Sequence, residues 1–508
     1  MENLIHRKLS VVDNVFVADD ARAAKKKFLI RLLISLHNSG NFVFRTERLS
    51  NRVAERLGIY TTVTIFHRRM IISFQSCLAL DPAKTESYTF MLGGGLNIWK
   101  LTTLEQLVYD FAKSKSIDFD EAQRRLDAID AAALLNSKWV IAMLHFVVSY
   151  TASVIFYGGT VSDAGWSGFF GAVIYGVEIL AEHLVGLSEI LSFISAFIVA
   201  MLSSLLDRYF YQGQLCLFAA MYGGTIWILP GYSITIALIE LYSGMVVYGS
   251  SRIIFGISQA SQVGFGLALG IAFIEGGTSV PESFVNGCRH PIEREWSLLL
   301  IFVIAAATAG ILNTGLNQMP GMVLIAAVAQ IAGYSLSTMR APPAVVPFVC
   351  ALCVTAAARS FAWWNRNERP LIYIISGLFI LVPGGVGVKG AFRSTLTGNG
   401  QQGLEFTVSM LMIGIYLAIG VFVSLVPSTK WLRPRKHMRS WHNLLFQKHN
   451  EVPEDGGAFP KQTDGGPTMS ECDEALGRLV MEVIMTEVTN PLNRPPVLQR
   501  SNSGESCL

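Results

Sequence analysis

The chain has 508 residues, 51% of them hydrophobic and 15% charged, with a mean hydropathy of +0.43. Water-soluble chains carry about 25% charge, so this one suits an apolar solvent, and its formal net charge of +3 is too small to point to nucleic acid. Seven cysteines are scattered, and the pair Cys350 and Cys353 lies inside an apolar run, which favours packing between helices over a redox or metal pair.

Residues 1–136 read as a small water-soluble α+β domain. Met1 to Asp20 has no long apolar core, so it does not read as a signal peptide. Lys27 to His37 has helical apolar spacing and stops at Asn38-Ser39-Gly40. Thr46 to Leu57 is a second amphipathic helix, ended by Gly58. Thr61 to Phe66 and Met70 to Phe74 are β-branched and alternate, so they read as strands with His67-Arg68-Arg69 as their turn. Gly93-Gly94-Gly95 lacks a phosphate-loop pattern and reads as a turn. Thr102 to Lys113 and Phe119 to Leu134 add two helices.

Residues 137–430 carry ten segments near the ~20-residue length that spans a bilayer. Five lie in 137–275 and five in 296–430, divided by a polar loop from Glu275 to Glu295. Each half contains one apolar segment that runs into Pro-Gly, at Pro230-Gly231 and Pro383-Gly384. The offset is 153 in both Gly224 to Gly377 and Pro230 to Pro383. Proline lacks the N–H a helix needs, and glycine lets the chain turn. In lipid such a break must be buried in protein or line a watery cavity. Five segments per half is an odd number, so halves that share a fold must be inverted relative to each other. The fold expected is an all-α polytopic membrane protein: about ten transmembrane helices as two inverted five-helix repeats, with a small N-terminal α+β cytosolic domain.

Residues 431–508 form the tail. Lys430, Arg433, Arg435, Lys436 and Arg439 place its start on the cytosolic side by the positive-inside rule. An even helix count puts the N-terminal domain on the same side. Beyond Glu451 the tail reads as disordered, with one amphipathic stretch from Cys472 to Glu487.

This combination resembles the threonine/serine exporter (ThrE) family, including its fungal pheromone-regulated members. The resemblance covers about 25–430. It rests on Leu36-His37-Asn38-Ser39-Gly40 through Arg48 and on to Gly58, on Leu229-Pro230-Gly231-Tyr232-Ser233-Ile234-Thr235 with Glu240 and Gly249-Ser250-Ser251-Arg252, and on Val382-Pro383-Gly384. It implies export of a small hydroxy amino acid driven by the proton motive force.

A helix that starts after a break has free N–H groups and a partial positive charge, which suits a substrate carboxylate. The expected substrate-binding residues are Pro230, Gly231, Ser233 and Thr235 at the first break, and Pro383, Gly384, Gly385, Gly387 and Arg393 at the second. Gln330 joins them as a polar side chain inside a span. Ionisable groups at membrane depth are costly and point to function. Glu240 is therefore expected to couple protons or bind the substrate amine, with Arg393, its counterpart at the same offset, facing it or the carboxylate. His145 suits a proton relay. Set against this, both breaks could end helices at the membrane surface, Arg393 could lie in an external loop, and His145 could be a structural histidine between helices. No nucleophile–base pair, cofactor motif or metal set is visible, so no enzyme, cofactor or metal is expected. The partners are a small amino acid, protons and the lipid bilayer, and a homo-oligomer stays open. The protein should be a multi-pass protein of the plasma membrane or an internal membrane, with both termini cytosolic. The alternative is a membrane scaffold or sensor that binds cytosolic partners through its N-terminal domain without transport.

Overall fold

A computed structural model describes residues 21–75, 86–184, 186–276, 283–284, 287–288, 296–365, 369–382, 384–398 and 400–425. Pro383, Cys77, the polar loop around 289–295 and the whole tail lie outside them. The chain divides into two compact units, residues 1–73 with 87–432, and residues 74–86 with 433–508. Of the second unit only 74, 75 and 86 are described.

The N-terminal part opens with α1 (Ala21–Asn38) and α2 (Val43–Leu57). Phe28, Leu29, Ile30, Leu32, Leu33 and Leu36 of α1 are buried, and burial of such a stripe is what stabilises a helix of this length. Gly58 ends α2 in the left-handed region at φ 68° and returns its N–H to Ala54 and Glu55. A three-stranded sheet follows in the order β1 (Tyr60–Phe66), β2 (Arg69–Gln75) and β3 (Glu86–Met91). Arg68 makes the hairpin turn at φ 62°. The third strand was not expected. Then come α3 (Ile98–Val108), capped by Asn97, and α4 (Phe119–Ala131).

The remainder is helical. The first half holds α5 (Lys138–Tyr157), α6 (Val161–Ala181), α7 (Leu191–Leu206), α8 (Leu217–Gly224), α9 (Gly231–Tyr242) and α10 (Val246–Glu275). The second holds α11 (Trp296–Ile311), α12 (Met319–Thr338), α13 (Val345–Trp364), α14 (Pro370–Leu381), α15 (Gly384–Thr397) and α16 (Gly400–Leu425). Among the described residues seven helices are long and apolar enough to cross a membrane. The stretches 217–224 and 226–242, bent by 55° against each other, pass the same test together, as a broken span or a re-entrant loop. Two more apolar helices, α11 and α14, have only 16 and 12 residues, so the expected ten spans count two elements that fall short of spanning length. The chain is a polytopic membrane protein.

Helix neighbours recur between the halves. α5 packs on α6 as α11 packs on α12, α6 on α8 as α12 on α14, α7 on α10 as α13 on α16, and α9 on α10 as α15 on α16. Across the divide α10 meets α15 and α9 meets α16, while α5 meets α11.

The N-terminal part is bonded to the membrane helices at one end. Ile98 and Trp99 donate their N–H groups to the carbonyls of Leu312 (2.9 Å) and Asn313 (3.1 Å). Asn136 Nδ2 donates to Gly310 O at 2.7 Å. At the other end Cys216, before α8, forms a disulfide with Cys288. Cys350 and Cys353 are free, Cys350 fully buried.

Candidate functional site

Both breaks exist as breaks. The chain between α8 and α9 tightens at Ile226–Ile228, turns at Pro230 and restarts as a helix at Gly231. α14 ends at Leu381 with Val382 extended, and α15 starts at Gly384. A break leaves carbonyls without helical partners. One of them is met: Gln259 of α10 donates Nε2 to Ile228 O at 3.1 Å. Satisfying such a group from a neighbouring helix is what membrane depth demands.

The two breaks lie side by side. Tyr232, just after the first break, stacks on Phe379, just before the second, with ring centroids 4.2 Å apart and planes 12° from parallel. Trp227 lies parallel to Phe379 at 6.2 Å. Trp227 and Ile380 pack against one apolar cluster that includes Val148 and Ala152 of α5 and Ile301 and Ala307 of α11. His145 closes the group, stacked on Tyr175 at 4.9 Å and edge-on to Trp227 at 5.0 Å. It is 2% exposed. Sequence reasoning missed Tyr232, Phe379 and Tyr175, because aromatic residues in apolar runs look like any other core residue.

The expected ligand residues fall in different places. Thr235 is fully buried and donates its hydroxyl to Gly231 O at 3.0 Å, within its own helix. Ser233 Oγ accepts from Arg252 Nε at 3.1 Å. Gly385 lies under the Tyr157 hydroxyl, which a Cβ there would approach to 3.1 Å. Gly384 and Gly387 sit in the first turn and a half of α15. Gln330 is partly exposed on α12, and Pro383 is outside the described residues.

Glu240 and Arg393 do not face each other. Each lies ten residues beyond its break, but α9 runs toward the N-terminal part and α15 toward the disulfide end. Glu240 is 1% exposed. Its Oε1 accepts the N–H of Val43, the first residue of α2, at 3.1 Å. Its Oε2 lies 3.7 Å from Arg252 Nη1 and has no hydrogen bond. A carboxylate at a helix N-terminus is favoured by the helix dipole. Arg393 instead donates to Phe284 O at 2.8 Å, and Phe284 stacks on Phe392 at 4.3 Å.

A second tie joins α2 to the other broken helix. Glu105 is 2% exposed and takes Arg45 of α2 at 2.5 Å and Arg369, one residue before α14, at 3.4 Å. Neighbouring positions of α2, Val43 and Arg45, thus reach the ends of both broken helices. Around Arg252 lie Tyr248, His37 and His67, with His37 edge-on to Tyr248 at 6.0 Å. Burial, then the Arg252 charge and His67, push His37 down to about 4. Burial, followed by Arg68 and Arg252, lowers His67 as well.

At the opposite end the Asp163 carboxylate accepts from Cys216 N at 2.9 Å and from Thr160 N and Oγ1 at 2.8 Å. Asp163, Cys216 and Cys288 lie within 4.8 Å of one another. Their arrangement fits a capped helix start beside a disulfide, since a disulfide offers no thiolate to a metal.

The family model described as "Putative threonine/serine exporter" matches residues 27–274 and 287–426. Pheromone-regulated membrane protein 10 of Candida glabrata is 22% identical over 79% of this chain and 52% of its own length. The Saccharomyces cerevisiae protein of the same name is 23% identical over 65% of this chain and 90% of its own length. The Kluyveromyces lactis protein is 23% identical over 81% and 44%. The chain spans about half the length of the first relatives it matches. No solved structure matches. With the match covering most of its length, this chain belongs to the threonine/serine exporter family.

Proposed function

We propose that the protein is a proton-coupled secondary transporter that exports threonine, serine or another small polar amino acid. The observation that carries this is the stacking of Tyr232 on Phe379, which holds two helix breaks together in the interior. Paired broken helices from matching halves are how secondary transporters build midplane sites. The substrate would sit where the first turns of α9 and α15 meet, with Pro230, Gly231, Ser233 and Thr235 on one side and Pro383, Gly384, Gly385, Gly387 and Arg393 toward the other. Gln330 and His145 would line its path.

Matched packing supports two inverted repeats. A Cβ on Gly270 of α10 would meet Ala200 Cβ, Phe197 O and Met201 N. One on Gly420 of α16 would meet Ala351 Cβ, Phe348 O and Leu352 N. Gly264 faces Ala391 of α15, and Gly414 faces Leu238 of α9. Leu238 and Ala391 keep the 153-residue offset of the breaks.

The disulfide supports the orientation. Disulfides persist in oxidising compartments, so Cys216–Cys288 would face the exterior or a lumen and the N-terminal part the cytosol. In that orientation the N-terminal domain covers the cytosolic ends of both broken helices and acts as the inner gate. Glu240 would carry the coupling proton. Protonation removes the charge that holds the Val43 N–H and attracts Arg252, so it would loosen the gate.

Proteoliposomes loaded with labelled threonine or serine test this reading. Efflux that requires an imposed proton gradient is expected. Absence of flux for every small polar amino acid would refute it and leave a scaffold or sensor.

A further inference from the structure

Lys389 is a half-buried cation on the helix that follows the second break, and the breaks alone do not explain its placement. It lies five residues into α15, a helix of 14 residues. Its Nζ rests 4.2 Å over the ring of Phe218. Among the described residues no carboxylate pairs with it, and the charge that acts on it is a like one, Arg393, one turn further on. A half-buried structural lysine usually pairs with an acid or carries its ammonium out to water.

The groups around it are donors. Gly385 lies one turn before Lys389, so both occupy one face of α15. The Tyr157 hydroxyl covers that face at Gly385 and has no hydrogen-bond partner among the described residues. Tyr222 is fully buried, its hydroxyl also unpartnered. Its ring lies 5.7 Å from Tyr157 and 5.0 Å from Phe218. An ammonium, two hydroxyls and the free N–H groups of a helix start therefore share one aromatic-walled corner. All can donate, and no anion among the described residues receives them. A bound carboxylate would supply the missing acceptors.

We propose that Lys389, Tyr157 and the first turn of α15, backed by Tyr222, form an anion subsite that receives the carboxylate of a small α-amino acid. The inference rests on the transport reading and gives it a chemical requirement. The ligand must carry a free carboxylate, while its side chain stays unconstrained by this corner. A cation–π contact to Phe218 holds the ammonium in place and leaves its N–H groups to the ligand.

The test compares labelled L-threonine with L-threoninamide in proteoliposomes of the full chain. The wild type should move threonine and discriminate strongly against the amide. Lys389→Gln should raise the threonine KM roughly tenfold or more, the loss typical of one charge-assisted hydrogen bond, with kcat kept. The preference over threoninamide should collapse in that variant, a change that mere loosening of the fold would not produce. Lys389→Arg should keep part of the preference, and Tyr157→Phe should raise KM severalfold. These two carry the test if Lys389→Gln fails to reconstitute. A wild-type KM and an intact preference in Lys389→Gln, or in both other variants, overturn the subsite. So does a wild type that moves both solutes equally well, although it leaves the transport reading standing. A wild type that moves neither refutes transport itself.

Discussion

Glu240 is held by two groups of unequal quality. The Val43 N–H is a proper hydrogen bond at 3.1 Å, whereas Arg252 stands at 3.7 Å and bonds Ser233 instead. One carboxylate oxygen is left buried without a hydrogen bond, which costs about 1–3 kcal/mol. Such a carboxylate is poorly compensated as an anion, and the attractions that protonation would give up are those to Val43 and Arg252, whose loss would loosen the gate. Glu240→Gln keeps the shape and an acceptor for Val43 but cannot titrate. We expect this variant to retain solute exchange and to lose the pH dependence of net efflux, read as flux against pH in proteoliposomes. Full pH dependence in the variant would remove Glu240 from coupling. His37 offers a separate pH effect at the same contact. Its value in the fold, near 4, lies below the ordinary value of 6.5, so the neutral form is favoured where α1 meets α10. The docking it supports is complete above about pH 6.5 and weakens as pH falls toward 4, by up to about 1.4 kcal/mol per unit. Hydrogen exchange of α2 as a function of pH should show this opening, and His37→Gln should flatten it.

At the scale of elements, close contact between helices is set by glycines whose missing Cβ lets backbones touch. Gly270 and Gly420 are the clearest pair, each facing a carbonyl oxygen of the helix beside it at 2.7 Å and 2.5 Å from an added Cβ. Backbone cannot yield as a side-chain tip can, so Gly270→Leu and Gly420→Leu should each destabilise by more than about 2 kcal/mol. Equal losses in a thermal unfolding series would support the repeat, and a loss at one site alone would argue against it. The breaks were legible in the sequence because proline and glycine act locally, whatever surrounds them. The spans followed from composition, and the two strands and their turn from alternation. Partners across long distances were not legible. Nothing near Glu240 in sequence names Val43, and Cys216 and Cys288 carry no spacing signal at their sequence separation of 72. Glu105 looks like a surface residue of an amphipathic helix until Arg45 and Arg369 close on it. β3 was missed because Glu86 to Met91 mixes polar and aromatic residues without a clear apolar alternation, and its pairing with β2 is a tertiary fact.

At the scale of the whole molecule, the N-terminal part touches both halves of the helical part at one end. It holds Glu240 through α2, Arg369 through Glu105, and Leu312 and Asn313 through the start of α3. Its hairpin turn reaches further, with Arg68 bonded to Glu189 at 2.8 Å just before α7 and its guanidinium 5.3 Å over Phe255. If alternating access needs one half to move against the other, a domain fixed to both must release at least one side in each cycle. The Arg68–Glu189 pair is exposed on both sides, and exposed pairs are worth about 0–1 kcal/mol. Replacing both residues by cysteine should therefore leave transport intact. A short bismaleimide bridging them should arrest transport if the domain is a gate. The background would lack the free cysteines Cys350 and Cys353 and those outside the described residues, but would keep the Cys216–Cys288 disulfide. An arm with one cysteine alone controls for simple modification. Arrest only in the bridged protein is the expected outcome. Undiminished flux after complete bridging would mean that the domain rides on the membrane helices as a passenger, and that the substrate leaves by a path it does not cover.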